Sequence, residues 1–172
     1  MTKYDGSSRN GLIDEIVLQS KIALRAAERL RATHDEYEKV EVWGSIQSIL
    51  VATGNVSKIL WPVRKENKAR GERLLQMLNV ENSNVLFDRK FRNYFEHYDE
   101  RIDEWFNNRS STVYTDLSMN PSLRGGFGAS RDHRGYNSVD NTLIFRGEVL
   151  NLNEVLKALE MMLDNCKPYT FV

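Results

Sequence analysis

The sequence has little of several features that would point to particular classes of protein. A single cysteine, Cys166, excludes an intrachain disulfide and a cysteine-based metal site. The 24 basic and 24 acidic side chains cancel, so binding to RNA would need a local patch or a site assembled by two subunits. The amino end lacks the apolar run of a secretory signal, and no apolar stretch is long enough to span a membrane. We therefore expect a soluble, cytoplasmic protein with no membrane partner.

The length of 172 residues and the hydrophobic share of 41% predict one globular domain over residues 1–172. Residues 1–10 are polar and are predicted to be frayed. Apolar residues recur at helical spacing, and Asn151 or Asn153 is expected to cap the last helix. Gly44 and Gly54 are predicted to mark close packing of the second helix, which Pro62 ends. The predicted helices cover residues 12–37, 40–60, 67–78, 85–106 and 154–163.

The final third of the chain differs in character. A short strand is predicted over residues 112–114. Residues 118–140 contain four glycines and one proline, which predicts a long flexible loop. Residues 142–145 and 148–150 are then predicted to form a β-hairpin around Arg146-Gly147. The expected fold class is mainly α, a bundle of about four to five helices with a small β-hairpin near the carboxyl end.

Four polar residues lie opposite an aromatic stripe on the fourth predicted helix: Arg92, Asn93, Glu96 and His97. A spacing of four residues lets Arg92 pair with Glu96 and Asn93 touch His97. Arginine can hold a phosphate and stabilise charge that develops on it, and histidine can move a proton near neutral pH. RNA carries its own nucleophile, the 2′-hydroxyl, so this set suits metal-independent RNA cleavage. The alternative interpretation is a solvated helix face with an ordinary Arg–Glu pair.

The segment 91–102, which reads FRNYFEHYDERI, resembles the signature of the HEPN superfamily. That signature is an arginine, a polar residue that is often asparagine, a short spacer and a histidine, on a late helix of a helical bundle. Arg92, Asn93 and His97 match it, with four residues between the arginine and the histidine. The resemblance implies a HEPN-like fold and a site in which His97 is the general acid and base, Arg92 holds the phosphate and Asn93 orients them. Glu96 is expected to support Arg92.

The resemblance also implies an activity and partners. Many HEPN proteins are metal-independent endoribonucleases that act as homodimers, leave cyclic phosphate ends, and serve as toxins with an antitoxin or in defence against phage. Other members are catalytically silent and bind nucleotides or proteins. The expected function is therefore RNA cleavage by a homodimer without a cofactor. The alternative is a non-catalytic interaction or nucleotide-binding module.

Other candidate residues carry weaker expectations. Arg124, Arg131 and Arg134 lie among aromatic residues in the predicted loop and are predicted to contact RNA by charge; the alternative is a mobile loop with incidental charges. No metal site is predicted, although a metal–carboxylate bundle using Glu96, Asp99 or Asp103 is a third interpretation. His34 is interpreted as a solvated helix end, and Cys166 is not expected to act as a nucleophile.

Overall fold

The computed structural model describes residues 6–108, 113–124 and 132–170. The chain forms two compact units. The first unit consists of Met1–Arg89 and Val155–Val172, and the inserted unit consists of Lys90–Glu154. The expectation of a single domain stays a prediction.

The described residues form mainly helices, with one small sheet. The helices are α1 Gly6–Ala32, α2 Lys39–Leu60, α3 Lys68–Met77, α4 Lys90–Glu96, α5 Tyr98–Asn108 and α6 Leu152–Cys166. The strands are β1 Ser118–Met119, β2 Arg134–Asn137, β3 Thr142–Phe145 and β4 Glu148–Asn151. Short 3-10 turns occupy Lys65–Asn67, Val85–Phe87, Pro121–Arg124 and Lys167–Tyr169. None of the described helices combines the length and apolar character that crossing a membrane requires.

The first unit is built on α1 and α2, which run antiparallel. Gln19 accepts a hydrogen bond from Asn55 at 3.2 Å, while Arg29 donates to Glu41 at 3.0 Å. The side chain of Glu38 caps α2 by accepting from two backbone amides, which satisfies donors that the first helical turn leaves open. The helices bury branched apolar residues at the predicted spacing, including Ile13, Ile16, Leu30, Ile46, Ile49 and Val56.

The end of α2 determines where α3 can pack. As predicted, α2 ends just before Pro62, which cannot continue a helix. A β-carbon on Gly71 of α3 would lie 2.6 Å from the Leu60 carbonyl oxygen and 2.6 Å from Pro62 Cδ. The backbone of α3 therefore approaches the end of α2 more closely than any side chain would allow. Gly44 has nothing within 4 Å of such a β-carbon, so the prediction of close packing at Gly44 is wrong.

The last part of the chain completes the first unit. Asn165 donates to the carbonyl of Leu78 at 2.8 Å, and Tyr169 donates to the carbonyl of Met77 at 3.1 Å. Helix α6 begins at Leu152, and the Asn151 side chain accepts from the Asn153 amide at 3.0 Å. Of the two predicted caps, Asn151 is therefore the one that closes the helix.

The inserted unit contains the sheet, with strand order β1-β2-β3-β4. β1 runs parallel to β2, and the other neighbours are antiparallel. The turn from β3 to β4 has positive φ at Arg146 and Gly147, which matches the two-residue turn favoured between antiparallel strands. The two strands that were predicted as a hairpin are thus half of a four-stranded sheet.

Three further predictions about this part of the chain need correction. The predicted helix over residues 85–106 is a 3-10 turn followed by α4 and α5, because the backbone of Asp88 is extended and a turn at His97 separates the helices. The predicted loop over 118–140 contains β1 and β2, and residues 125–131 of it lie outside the described residues. Val113 and Tyr114 are not in a strand; Thr115 forms an isolated bridge with Asp132, and residue 112 lies outside the described residues.

The segment 1–10, predicted to be frayed, also needs correction. Helix α1 already begins at Gly6, and residues 1–5 lie outside the described residues.

Candidate active site

The candidate site lies where α4 gives way to α5. The amide of His97 donates to the Asn93 carbonyl at 3.0 Å, and the His97 carbonyl accepts from the Arg101 amide at 3.2 Å. The turn residue is thus hydrogen-bonded to both helices. The imidazole therefore sits on a backbone that is fixed on each side.

Arg92 is held in place by two neighbours on α4. Its Nη1 donates to the Asn93 side-chain oxygen at 3.2 Å, and its Nη2 makes a short ion pair with Glu96. The side chain is only 14% exposed. The ion pair confirms the predicted pairing of Arg92 with Glu96. The two contacts orient the guanidinium, and the Glu96 carboxylate partly balances its charge.

His97 is exposed, as are Asn93 and Glu96. Its side chain is 55% exposed, and its Nδ1 lies 3.8 Å from Glu100 Oε1. The structure joins His97 to Asn93 through the backbone, whereas the predicted contact between their side chains stays a prediction. The exposed imidazole can exchange a proton with a bound molecule, and the oriented guanidinium, five residues earlier in the chain, can bind an anion.

Helix α4 is anchored to the sheet within the inserted unit. Lys90 makes a short ion pair with Glu148 of β4, and the Tyr94 hydroxyl donates to the same carboxylate at 3.1 Å. The hydrogen bond from Lys90 holds the pKa of Glu148 below its usual value. The Tyr94 ring also stacks on Phe145, with centroids 4.1 Å apart. These contacts fix the helix that carries Arg92.

Helix α5 is tied to the turn between β3 and β4. Arg146 donates to Glu104 at 3.1 Å and makes a short hydrogen bond to the Arg101 carbonyl. Arg101 also pairs with Glu104, and that hydrogen bond is the main reason why the pKa of Glu104 is below its usual value. The two helices that flank His97 are therefore both anchored to the same pair of strands.

The structure describes the three arginines that were predicted to contact RNA to different extents. Arg134 donates to Asp116 at 2.9 and 2.6 Å and lies over the Phe95 ring at 5.4 Å. Burial opposes ionisation of Asp116, but the bonds and charge of Arg134 outweigh it and lower the pKa of that carboxyl. RNA contact by Arg134 stays a prediction, and it would require opening this largely buried pair. Only the backbone of Arg124 is described, and Arg131 lies outside the described residues.

One histidine of the predicted loop, His133, is buried in the same unit. His133 is 1% exposed and is surrounded by three rings: Trp105 stacks on it at 5.7 Å, while Tyr114 and Phe145 meet it edge-on at 5.6 and 5.0 Å. Neither imidazole nitrogen has a hydrogen-bond partner among the residues that the structure describes. Burial lowers the pKa of His133 to about 4 and raises the pKa of Tyr114 to about 12. In the sequence, His133 stands between Asp132 and Arg134, so it looked like part of a polar loop.

The described residues contain neither a group suited to hold a metal ion nor a reactive thiol. Across residues 6–108, 113–124 and 132–170, no three His, Cys, Asp or Glu side chains come together in a group that could hold a metal ion. Cys166 is buried, and burial raises the pKa of its thiol to about 11. The thiol therefore stays protonated near neutral pH, which makes it a poor nucleophile.

Comparison with family models, curated proteins and solved structures finds no match for this chain. The similarity to HEPN proteins therefore stays a resemblance, carried by Arg92, Asn93 and His97 on the α4–α5 segment.

Proposed function

We propose that the protein is a metal-independent endoribonuclease that acts as a homodimer. The observation that carries the proposal is the exposed imidazole of His97 in the turn that directly follows α4, the helix that holds the oriented guanidinium of Arg92. One group can transfer a proton and the other can hold a phosphate, which are the two tasks that cleavage by a 2′-hydroxyl requires.

The proposed reaction is an internal transfer within the RNA strand. A His97 imidazole takes the proton of the 2′-hydroxyl, and the 2′-oxygen attacks the adjacent phosphorus. The bond to the 5′-oxygen breaks, and that oxygen takes a proton from an imidazolium. The products are a 2′,3′-cyclic phosphate and a 5′-hydroxyl. Each site of the homodimer uses one His97 imidazole, which takes the proton of the 2′-hydroxyl as the base and returns a proton to the 5′-oxygen as the acid.

Arg92 stabilises the charge that builds up on the phosphate oxygens in the transition state. In the free protein, Glu96 engages the guanidinium; in the complex, a phosphate oxygen replaces that carboxylate. Asn93 accepts from Nη1 at 3.2 Å and keeps the guanidinium plane aligned while the exchange takes place. Glu96 thus holds the cation ready until RNA is bound.

A second function is favoured by the same ion pair. Because Glu96 already balances Arg92, and His97 is open to solvent, this surface also suits a non-catalytic module that binds a protein partner. The two functions differ in whether the wild-type protein cleaves RNA.

The first test compares the wild type with His97→Ala and Arg92→Ala on a mixed pool of RNAs in the presence of EDTA. Loss of the general acid and base should slow cleavage by about a thousandfold. Loss of the guanidinium should slow it by about a hundredfold. The products are identified by mass spectrometry of their ends, and folding is checked by circular dichroism.

Two control variants match these changes. His34→Ala removes another exposed histidine, and Arg25→Ala removes the arginine of an exposed ion pair with Glu28 on α1. Both should cleave like the wild type. If the wild type leaves the whole pool intact, the nuclease proposal is wrong and the interaction module gains support. If the control variants lose as much activity as the site variants, the assignment of cleavage to Arg92 and His97 is wrong.

A further inference from the structure

A groove of about 420 Å³ lies in the first unit, between the end of α2, α3 and the segment that precedes α4. Its walls include the aromatic residues Trp61 and Phe87 and the charged residues Lys68, Glu72 and Arg89. We refer to it as the aromatic groove. Its volume lies in the range of sites that enclose small ligands, and the α4–α5 site does not use it.

The aromatic pair in this groove is well supported. The Trp61 and Phe87 rings meet edge to face, with centroids 5.7 Å apart. The Trp61 indole donates to the Asn82 side chain at 3.2 Å, which fixes the plane of the ring. Phe87 lies on a 3-10 turn capped by Asn84 and is 54% exposed. A large, half-exposed ring on a capped turn offers a stable surface for stacking.

Charge in the groove favours an anion. Lys68 and Arg89 carry two positive charges, against one negative charge on Glu72. Arg89 donates from Nη2 to the Trp61 carbonyl at 3.1 Å, which places its guanidinium beside the aromatic pair. Cations next to an exposed ring match a ligand in which a flat apolar group is joined to a phosphate.

We infer that the aromatic groove binds an unpaired nucleotide of single-stranded RNA. The base stacks on Phe87, and its phosphate lies near Lys68 and Arg89. The choice of RNA as the strand rests on the proposed function. Because every base has a stacking face, this contact would add affinity with little preference for sequence.

The test measures binding by fluorescence anisotropy with a short single-stranded oligonucleotide of 2′-O-methyl ribose. This probe lacks the free 2′-hydroxyl, so it cannot be cut by the proposed reaction. Phe87→Ala should weaken binding by about tenfold through the loss of one stacking contact. Tyr37→Ala is the matched control, since Tyr37 is also 54% exposed on the first unit and lies outside the groove. It should bind like the wild type.

Salt dependence tests the charged part of the groove. Each phosphate contact on a single strand contributes about −0.7 to the slope of log affinity against log salt. Lys68→Gln should therefore make the wild-type slope shallower by about 0.7. Lys21→Gln removes an exposed lysine from α1, outside the groove, and should leave the slope unchanged.

The outcomes separate this inference from the proposed nuclease activity. Equal binding by Phe87→Ala and Tyr37→Ala would overturn the inference even if the wild type cleaves RNA. Phe87-dependent binding without any cleavage would support the groove and count against the nuclease. Binding of an acidic, aromatic peptide but not of the oligonucleotide would also overturn the inference, because the groove would then be a peptide site.

Discussion

His133 shows at the residue scale how burial changes the chemistry of one side chain. It lies in a box of aromatic rings, and burial is the main reason for its low pKa. Asp116 and Glu104 favour the charged imidazole, whereas Arg146 and Arg134 oppose it. The net result is a neutral histidine at pH 7 in the folded protein.

This neutral histidine should make the protein less stable in mild acid. The pKa of His133 is about 4 when folded and near 6.5 when unfolded. Between these values only the unfolded chain binds the proton, so stability is complete above pH 6.5 and falls as the pH drops toward 4. We expect the free energy of unfolding to be about 2 kcal/mol lower at pH 5 than at pH 7. Urea titrations at the two pH values measure it.

The substitution His133→Phe keeps a ring in the box and removes the titrating group. It should flatten the pH dependence of the free energy of unfolding between pH 5 and 7. His34→Ala, at an exposed histidine, should leave that dependence unchanged. The lowered pKa of Asp116 acts in a different window, since a depressed carboxyl pKa costs stability only as the pH falls below its unfolded value, near 4. An undiminished loss at pH 5 in His133→Phe would assign the effect to other groups.

At the residue scale, sequence spacing predicted part of the candidate site. It named Arg92, Glu96 and His97 together, and it predicted the ion pair between the first two because a gap of four residues brings side chains to one helix face. It did not predict that His133 is buried. That depends on Trp105 and Phe145, which reach it only once α5 and β3 have assembled.

At the scale of elements, two glycines on neighbouring helices have opposite surroundings. Gly71 of α3 faces the Leu60 carbonyl and Pro62 at a distance that no β-carbon tolerates, whereas Gly44 of α2 faces open space. Both lie within helices, where glycine is less favourable than alanine by about 1 kcal/mol. The two sites therefore separate helix propensity from packing.

We expect Gly71→Ala to lower the free energy of unfolding by about 1–2 kcal/mol, because the clash with the end of α2 exceeds the gain in helix propensity. Gly44→Ala should instead raise it by up to about 1 kcal/mol. Chemical denaturation of both variants beside the wild type provides the measurement. A stabilised Gly71→Ala would show that α3 can move away from Leu60 at no cost.

The elements that the sequence predicted best are those with a sustained apolar period. Helices α1, α2, α3 and α6 follow from that pattern. Pro62 marks the end of α2, and Asn151 marks the beginning of α6. The pattern also runs through His97, so it did not predict the turn there. Strand β2, with the sequence Arg-Gly-Tyr-Asn, lacks the alternation of a half-buried strand. Its strand conformation depends on pairing with β3, which local sequence does not encode.

At the scale of the whole molecule, the proposed homodimer makes a prediction about shared sites. If each site combines Arg92 of one copy with the imidazole of the other, a dimer of Arg92→Ala with His97→Ala contains one intact site. Mixing the two inactive variants under exchange conditions should then restore about a quarter of wild-type activity, because random pairing makes half of the dimers mixed and each has one of two sites.

Cleavage assays on the mixed sample, with each variant alone as the control, measure this recovery. No recovery in a sample shown by light scattering to be dimeric would mean that each site uses the arginine and histidine of one chain.

The insertion of one unit into the other also affects how the chain folds. In the first unit, Asn165 and Tyr169 bond to the end of α3. Along the chain, the whole of Lys90–Glu154 separates these two residues from α3. Within that insertion, the ion pair of Lys90 with Glu148 holds the first residue of the insertion close to β4, the last strand of the insertion. Once the insertion has folded, the flexible loop between the two parts of the first unit becomes much shorter, and the entropy cost of closing it falls. Early folding of the insertion would therefore speed assembly of the helices that surround it.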